Sequence, residues 1–397
     1  MSPLSPIKAS DEAPVSPSRS LRLPLDPLLT LAVIGLAICS TVTLRQATRN
    51  LVPGDPRYYL DRQVVYLVVG FVLMLVLSRI DYAQLRRLKN PIYGTLLVTI
   101  LAVLALGHAA KGSQRAINFP LFSFQASELG KVLLIVALAA LLVERARQLG
   151  DRDTTVRLMI AALIPAMLVI AQPDLGSGMV YMTIAYMLLF IAGTSWRQLA
   201  ALAALVCVAA SFVLVAAPAA GVHVLKSYEV NRLTAFLHPS SNPQTEGYQQ
   251  QESKIAIGSG QKTGRGAKST QVPLKFLPES HTDFVFAAVA ERYGFVGAGL
   301  VLLLYALLIS RTLRVLVMAK DLFGSLIAAG VAAMLMFQVF VNVGMTIGIM
   351  PITGVTLPLM SYGGSSVITT LLAVGLLQSI YVQARASQAL KGRVPRF

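Results

Sequence analysis

The chain has 397 residues, of which 55% are hydrophobic and 13% are charged, and its formal net charge is +16. This composition excludes an ordinary soluble domain and is typical of a polytopic membrane protein. Because the basic residues lie in short clusters between apolar runs, the charge indicates membrane topology and not nucleic-acid binding.

Ten apolar runs follow a polar N-terminal segment. Residues 1–25 are rich in Ser, Pro and basic residues and contain no apolar run, so we expect a disordered cytoplasmic tail there. Each later run approaches the ~20 residues that a membrane span needs. The predicted spans are 27–46, 63–79, 92–108, 126–143, 158–173, 178–194, 199–217, 284–310, 322–347 and 364–384. The predicted fold class is therefore all-α, with a polytopic transmembrane domain over 26–384 and a cytoplasmic tail at 385–397.

The short loops predict the orientation of these spans. Basic clusters follow the second, fourth and eighth spans, and a fourth cluster lies in the C-terminal tail. With ten spans all of them fall on one side, which is cytoplasmic by the positive-inside rule. Both termini are then cytoplasmic, and the large loop 226–283 between the seventh and eighth spans is extracytoplasmic. The clusters between spans are Arg79, Arg86, Arg87 and Lys89; Arg145, Arg147, Arg152 and Arg157; and Arg311, Arg314 and Lys320.

Four segments on the predicted outer side have unusual polar content. They are KGSQRAINFPLFSFQASELGK at 111–131, QPDLGSG at 172–178, the loop 226–283, and GIMPITGVTLPLMSYGGSS at 348–366. The last is rich in Pro and Gly, and irregular backbone is tolerated at membrane depth only where protein or a wet cavity surrounds it. Because all four segments face outward, we expect them to converge on one site.

Single residues in these segments carry specific expectations. Glu128 and Lys131 are three residues apart at the mouth of the fourth span, which predicts a salt bridge. Asp174 is placed to cap the helix that follows it. Asp283 stands beside Phe284 at the head of the eighth span, where partial desolvation would increase its basicity. No Walker A loop, HExxH pair or Cys/His spacing occurs, so we assign no metal ligand, although a requirement for a divalent cation stays open.

Five ordered motifs resemble the SEDS family (shape, elongation, division and sporulation). They are QASELGK, QPDLGSG, GYQQQESKIAIGSG, LPESHTDFVFA and GIMPITGVTLPLMSYGGSS, and the resemblance covers 26–384. The chain departs from the family pattern at Ala116, Ala126, Glu252 and Gln261, where the family usually has Trp, Pro, Gln and Gly. None of these changes removes Asp283. The segments NRLTAFLHPSSNP and IAIGSGQKTGRG are most similar to the family's elongation member, with the division member as the alternative.

The resemblance implies a glycosyltransferase in the bacterial inner membrane that polymerises lipid II into glycan strands. It implies Asp283 as the general base for an inverting displacement at a carbohydrate. It also implies a class B penicillin-binding protein transpeptidase as partner, together with other elongation-complex membrane proteins. The residues expected to contact the substrate are Arg115, Lys131, Lys254, Arg265, Asp174, Ser259 and Gly260, and those expected to support the site are Glu128, Glu291 and Ser361.

Three other classes of function stay open at this point. A lipid II flippase would need polar residues through the whole bilayer, whereas the polar motifs here concentrate on the predicted outer half. A polyprenyl-linked sugar ligase or polymerase would share the topology and the large loop, but the ordered motifs argue against it. A structural scaffold for a morphogenetic complex would not need Asp283 in its motif.

Overall fold

A computed structural model describes residues 25–49, 51–52, 54–106, 108–110, 113–118, 123–148, 151–211, 236, 246–272 and 276–391. Nearly all of the expected N-terminal tail, the last six residues and much of the first half of the 226–283 loop lie outside these ranges. The transmembrane helices and the motifs that follow the loop are within them.

The described chain is almost entirely helical, which confirms the all-α prediction. The helices before the long loop are α1 (Pro27–Ala47), α2 (Tyr58–Arg79), α3 (Ala83–Arg87), α4 (Lys89–Leu106), α5 (Ala126–Glu144), α6 (Arg152–Ala171), α7 (Leu175–Ile191) and α8 (Trp196–Ser211). The later helices are α9 (Glu246–Gly260), α10 (Val285–Met318), α11 (Leu322–Ile347) and α12 (Gly364–Lys391), and 3₁₀ turns lie at Ala146–Gln148 and Gly266–Lys268.

Membrane-spanning capacity follows from length and hydropathy. Among the described residues, eight helices are long and apolar enough to cross a bilayer: α1, α2, α4, α5, α6, α10, α11 and α12. Helices α7 and α8 are apolar but shorter. The described parts of all ten predicted spans therefore coincide with apolar helices, whereas residue 107 of the third span and residues 212–217 of the seventh lie outside the described ranges. Helix α12 extends past the predicted span, which ends at 384, to Lys391, so the described start of the predicted C-terminal tail is helical.

The core is formed by three central helices. The most apolar stretch of α5 is 78% buried, that of α11 is 72% buried and that of α12 is 83% buried, whereas that of α4 is only 17% buried. Helices α2, α4 and α6 therefore lie at the periphery, and their exposed apolar side chains suit contact with lipid. Helices α5, α11 and α12 thus lie at the centre of the bundle, and the loops at both of its ends are attached to them.

A small antiparallel sheet, which the sequence did not predict, connects α4 to α5. Its strands are β1 (His108–Ala110), β2 (Ser113–Asn118) and β3 (Ser123–Phe124), in the order β1-β2-β3. Ala110 pairs with Ser113, and Asn118 pairs with Ser123. The sheet lies in the first of the four polar segments and leads directly into the start of α5.

Helix α10 is interrupted, although the sequence predicted one continuous span over 284–310. Gly294 has φ of 64° and ψ of −160°, a conformation that glycine adopts far more readily than other residues. The part after this break, 295–318, is by itself long enough to cross a bilayer. The first part, 285–293, packs with the end of α1 and with α9 through a buried apolar cluster that includes Ala47, Ala256, Phe284 and Ala288.

This cluster identifies one end of the bundle, which we call the Asp283 end. The ends of α1 and α11 and the start of α10 meet there. At the opposite end, the Asp26 carboxylate caps α1 and binds the Arg311 guanidinium at 2.6 Å, and Gln378 accepts from the Asp26 N–H at 2.8 Å. Arg311 is thus buried in an ion pair that joins α1, α10 and α12, and does not lie in a solvated basic loop.

Candidate active site at the Asp283 end

The backbone around Asp283 is held from two sides. The Asn342 amide of α11 donates to the Asp283 carbonyl at 2.9 Å and to the Val355 carbonyl at 2.8 Å. The Ser361 hydroxyl donates to the Thr282 carbonyl at 2.5 Å. The Asp283 side chain is half-buried, which leaves its carboxylate within reach of a molecule at this end of the bundle. Hydrogen bonds from α11 and from the 348–366 segment therefore hold the main chain at Asp283.

A second polar group lies at the adjoining starts of α5 and α7. The predicted salt bridge is present: the Lys131 ammonium lies 2.6 Å from the Glu128 carboxylate, and both side chains are buried. Asp174 caps α7 by accepting from the Ser177 N–H at 3.2 Å, as expected, and its other oxygen accepts from the Ser127 hydroxyl at 3.0 Å. The Asp174 carboxylate is thus occupied by donors of the protein, which favours a structural role over a contact with substrate.

The 348–366 segment connects these two groups. Ser361 binds the backbone beside Asp283, and the Ser365 hydroxyl accepts from the Gln125 N–H at the start of α5 at 3.0 Å. On the α7 side, a Cβ at Gly176 would lie 2.7 Å from the Thr353 carbonyl oxygen, so the two backbones are in close contact. The described parts of all four polar segments therefore meet at one end of the bundle, as their sequence positions predicted.

An aromatic wall beside Asp283 was not predicted from the sequence. The Tyr59 ring lies 4.9 Å from those of both His281 and Tyr362, and the Arg62 guanidinium lies 4.1 Å above the Tyr58 ring. Burial, with a further contribution from Tyr66, raises the pKa of Tyr362, so its hydroxyl stays protonated at neutral pH. Tyr58 and Arg62 are four residues apart, a spacing that brings two side chains together on a helix. This contact was not predicted because the second span was predicted to begin only at residue 63.

The glycine-rich stretch 258–266 begins as the end of a helix and continues as a turn. Gly258, Ser259 and Gly260 form the last turn of α9, and the Ser259 hydroxyl donates to the Ala256 carbonyl at 2.9 Å. A Cβ at Gly260 would lie 1.9 Å from the Ala290 carbonyl oxygen, so this glycine permits close packing of α9 on α10. Ser259 and Gly260 thus lie within α9, and their expected contact with the substrate stays a prediction.

The turn that follows α9 satisfies the backbone at the break in α10. The carbonyl of Gln261 accepts from Phe295 N–H at 2.9 Å, and that of Lys262 accepts from Val296 N–H at 3.1 Å. These two N–H groups begin the second part of α10 and have no carbonyl of a preceding helical turn to bind. The turn thus caps the second part of the helix from outside.

Glu291, expected to support the site, anchors the next part of the same loop. Its carboxylate is 1% exposed and accepts from the backbone N–H groups of Thr270 at 2.6 Å, Gln271 at 2.9 Å and Val272 at 3.2 Å. Three charge-assisted hydrogen bonds satisfy a carboxylate that would be costly to bury alone. They connect the loop before Asp283 to the helix after it.

The candidate phosphate-binding cations occupy different environments. Lys254 is exposed on α9, and its side chain lies against Gly348 at the end of α11, where the helix dipole favours a cation. Arg265 is exposed and its guanidinium is 3.3 Å from the Thr270 hydroxyl. Lys131 is buried against Glu128. Arg115 lies in β2, and its side chain is outside the described part of the chain.

Comparison with known proteins decides the family. The family model FTSW_RODA_SPOVE, described as "Cell cycle protein", matches residues 23–386. The chain belongs to the SEDS family. It is 37% identical to "Probable peptidoglycan glycosyltransferase FtsW" of Thioalkalivibrio sulfidiphilus over 93% of each chain. It is 34% identical to "Peptidoglycan glycosyltransferase MrdB" of Escherichia coli over 91% of this chain and 94% of that protein.

Solved structures agree with this assignment. One chain of a structure described as "Structural coordination of polymerization and crosslinking by a peptidoglycan synthase complex" matches with a TM-score of 0.75 and 31% identity, over 91% of this SEDS protein and 99% of that chain. The rod shape determining protein RodA of Thermus thermophilus matches with a TM-score of 0.64 and 30% identity, over 92% and 98% of the two chains. The match therefore extends over nearly the whole described bundle.

Proposed function

We propose that this chain, which is a peptidoglycan glycosyltransferase, polymerises lipid II at the Asp283 end with Asp283 as the general base. The observation that supports this role is the clamp on its main chain from Asn342 and Ser361, which fixes a half-buried carboxylate where the four polar segments meet. A general base must be held within hydrogen-bond reach of the proton that it removes.

The proposed reaction is a single inverting displacement. The 4-hydroxyl oxygen of the acceptor sugar forms a bond to the anomeric carbon of the donor, and the bond from that carbon to the pyrophosphate oxygen breaks. Polyprenyl pyrophosphate leaves with the bonding electron pair, and the hydroxyl proton passes to the Asp283 carboxylate. Exposed Lys254 and Arg265 are available to stabilise the charge of the leaving group, while the aromatic wall offers flat surfaces for the sugar rings.

The cellular role and orientation form part of the same proposal. We place the Asp283 end on the extracytoplasmic side of the inner membrane, with both termini cytoplasmic, because the basic clusters at the ends of α2, α5 and α10 lie at the opposite end. The segments 231–243 and 255–266 favour elongation, although the similar curated relatives include both MrdB and FtsW. A class B penicillin-binding protein is the proposed partner, supported by the peptidoglycan synthase complex among the similar structures.

Polymerisation in nanodiscs tests the role of Asp283. The protein is purified with a partner whose transpeptidase serine is inactivated, supplied with lipid II, and the glycan strands are resolved on a gel. Asp283→Asn and Asp283→Ala should each lower the rate at least ~100-fold, since general-base catalysis contributes roughly 10²–10⁴-fold. Glu279→Gln is a matched control, because it neutralises a carboxylate four residues away that accepts from the Thr282 hydroxyl at 2.9 Å. Near-normal strands from Asp283→Asn would refute the general-base role.

The same preparation separates an enzyme from a transporter. Nanodiscs enclose no compartment, so a flippase has nothing to transport there, whereas a polymerase still makes strands, and we expect them to form in the presence of moenomycin. Absence of strands, together with head-group translocation in sealed liposomes, would favour the flippase.

A further inference from the structure

A cavity lined by arginines lies at the Asp283 end, outside the site described above. Its volume is about 580 Å³, and its lining includes the side chains of Arg45 and Arg49 from the end of α1, Arg57 before α2, and Arg292 beside the break in α10. Gln46 and Pro56 complete the described lining. Three elements distant in sequence therefore bring four guanidinium groups to one opening.

None of these four arginines is paired directly with a carboxylate among the described residues. No carboxylate is part of the described lining either. The carboxylates nearest in sequence are already engaged: Asp55 accepts from the Arg57 N–H at 3.1 Å, and Glu291 accepts from the backbone of residues 270–272. Four like charges around one cavity repel one another, so an anion that entered it would relieve that repulsion.

A half-buried amide side chain also contributes to the lining of the cavity. The Oε1 atom of Gln46 is buried and has no hydrogen-bond partner among the described residues, although Gln46 lines the cavity. Buried polar atoms in native proteins are almost always satisfied, and an orphan requires an explanation. An anion offers only acceptor oxygens and does not satisfy this oxygen, so the part of Gln46 that can donate to an anion is its NH₂ group.

The surroundings of the cavity are apolar and exposed. Phe295 is 78% exposed and Val296 is 65% exposed immediately after the break in α10, and Val42 is 42% exposed one turn before Arg45. Such side chains on spanning helices suit contact with lipid chains. A ligand that fits both features has an anionic head group and a hydrocarbon tail.

We propose that this cavity binds the head group of a membrane lipid that carries two phosphate groups. A guanidinium fork binds a phosphate through two parallel hydrogen bonds, so four arginines around one cavity offer enough donors for two phosphate groups. The chemistry is shared by two sources, a phospholipid of the cardiolipin type and a polyprenyl pyrophosphate. The first source is independent of the proposed function, whereas the second rests on it.

Native mass spectrometry of the full chain in detergent tests the site with three probes. They are tetraoleoyl cardiolipin, undecaprenyl pyrophosphate and dioleoyl phosphatidylglycerol, which has one phosphate. We expect one tightly held molecule of a two-phosphate lipid, with at least tenfold weaker binding of phosphatidylglycerol. The double variant Arg45→Gln, Arg292→Gln should lower the affinity at least tenfold. The control is Arg147→Gln, Arg314→Gln, which alters two exposed arginines at the opposite end, in the 3₁₀ turn after α5 and in the last turns of α10, and should change the affinity less than twofold.

Each outcome decides the proposal. Tight binding of cardiolipin assigns the site to a membrane phospholipid, and tight binding of the polyprenyl pyrophosphate alone assigns it to the lipid carrier. Equal loss in both double variants, binding of inorganic pyrophosphate without any lipid, or no binding would overturn the proposal. The measurement is repeated on Asp283→Asn, since an enzyme without polymerase activity should still bind the lipid, and thermal unfolding of each variant confirms that it is folded.

Discussion

At the residue scale, two buried ion pairs hold the bundle at its opposite ends. Glu128 and Lys131 lie within α5 at the Asp283 end, and Asp26 and Arg311 join α1 to α10 at the other. Both pairs combine direct contact with burial, so each charge depends on its partner for compensation. Removal of one partner from such a pair leaves a charge in a medium that cannot solvate it.

The pair in α5 yields a prediction of stability. Glu128→Ala and Lys131→Ala should each lower the free energy of unfolding by ~3–5 kcal/mol, the usual effect of breaking a buried pair. Exchange of the two charges should restore part of the loss. The control is Lys89→Ala, because Lys89 pairs with Glu144 at a partly exposed position where such pairs contribute ~0–1 kcal/mol. Thermal unfolding in detergent measures all four variants.

A different result would change the assignment of Lys131. If Lys131→Ala were as stable as the unaltered protein yet failed to polymerise lipid II, its ammonium would belong to the substrate site and not to the support of α5. Its present contact with Glu128 would then be one that the substrate replaces.

At the element scale, α9, its following turn and the first part of α10 form one packed unit. Gly260 is in close contact with the Ala290 carbonyl, the turn caps the second part of α10, and Glu291 holds residues 270–272. Asp283 lies immediately before the first part of α10, which belongs to this unit. Any loosening of α9 should therefore displace the carboxylate.

Two glycines in the same turn of α9 make a matched test. Gly260→Ala would place a Cβ 1.9 Å from a backbone oxygen, so we expect a loss of ~1–3 kcal/mol, as for overpacking elsewhere, and faster hydrogen exchange over 285–293. A Cβ at Gly258 meets nothing within 4 Å, so Gly258→Ala should be neutral or slightly stabilising. Equal effects of the two changes would show that α9 does not pack on α10 as described.

The sequence predicted the spans better than it predicted this unit. Long apolar runs have few alternatives in a membrane, so the boundaries of α1, α5 and α11 were found to within one residue. Helix α9 was missed because a polar stretch with glycines at its end carries no strong periodic signal. The break at Gly294 was missed because it depends on carbonyls from residues 261 and 262, a tertiary contact that no local pattern reveals.

At the scale of the whole molecule, the orientation in the membrane can be tested directly. Cys39 and Cys207 are the two cysteines of the chain, so a Cys39→Ala, Cys207→Ala background carries no thiol. Lys262→Cys in that background should react with a membrane-impermeant thiol reagent in intact spheroplasts, because Lys262 is exposed at the proposed extracytoplasmic end. Arg147→Cys, in a short loop at the opposite end, is the control and should react only after lysis. The reverse pattern would invert the topology.

The convergence of the four polar segments was the most useful inference at this scale. This inference required only that all four segments lie on one side of the membrane, which followed from the number of predicted spans between them. The sequence could not predict which polar groups of the four segments would form hydrogen bonds and with which partners. Asp174 binds Ser127 of another helix, and Asn342 binds the main chain of Asp283, contacts that depend on the packing of α5, α7 and α11. The roles of single residues were therefore harder to predict from the sequence than the convergence of the four segments.

The turn between α9 and the 3₁₀ segment also restricts where the chain can change in length. Carbonyls of Gln261 and Lys262 and the N–H of Arg265 each meet a particular partner in α10, at Phe295, Val296 and Glu291. An inserted or deleted residue between positions 261 and 265 would shift these pairings out of register and leave the N–H groups after Gly294 without acceptors. An epitope tag or a fluorescent domain inserted there should abolish folding of α10, even though the turn is at the surface, where insertions are ordinarily tolerated.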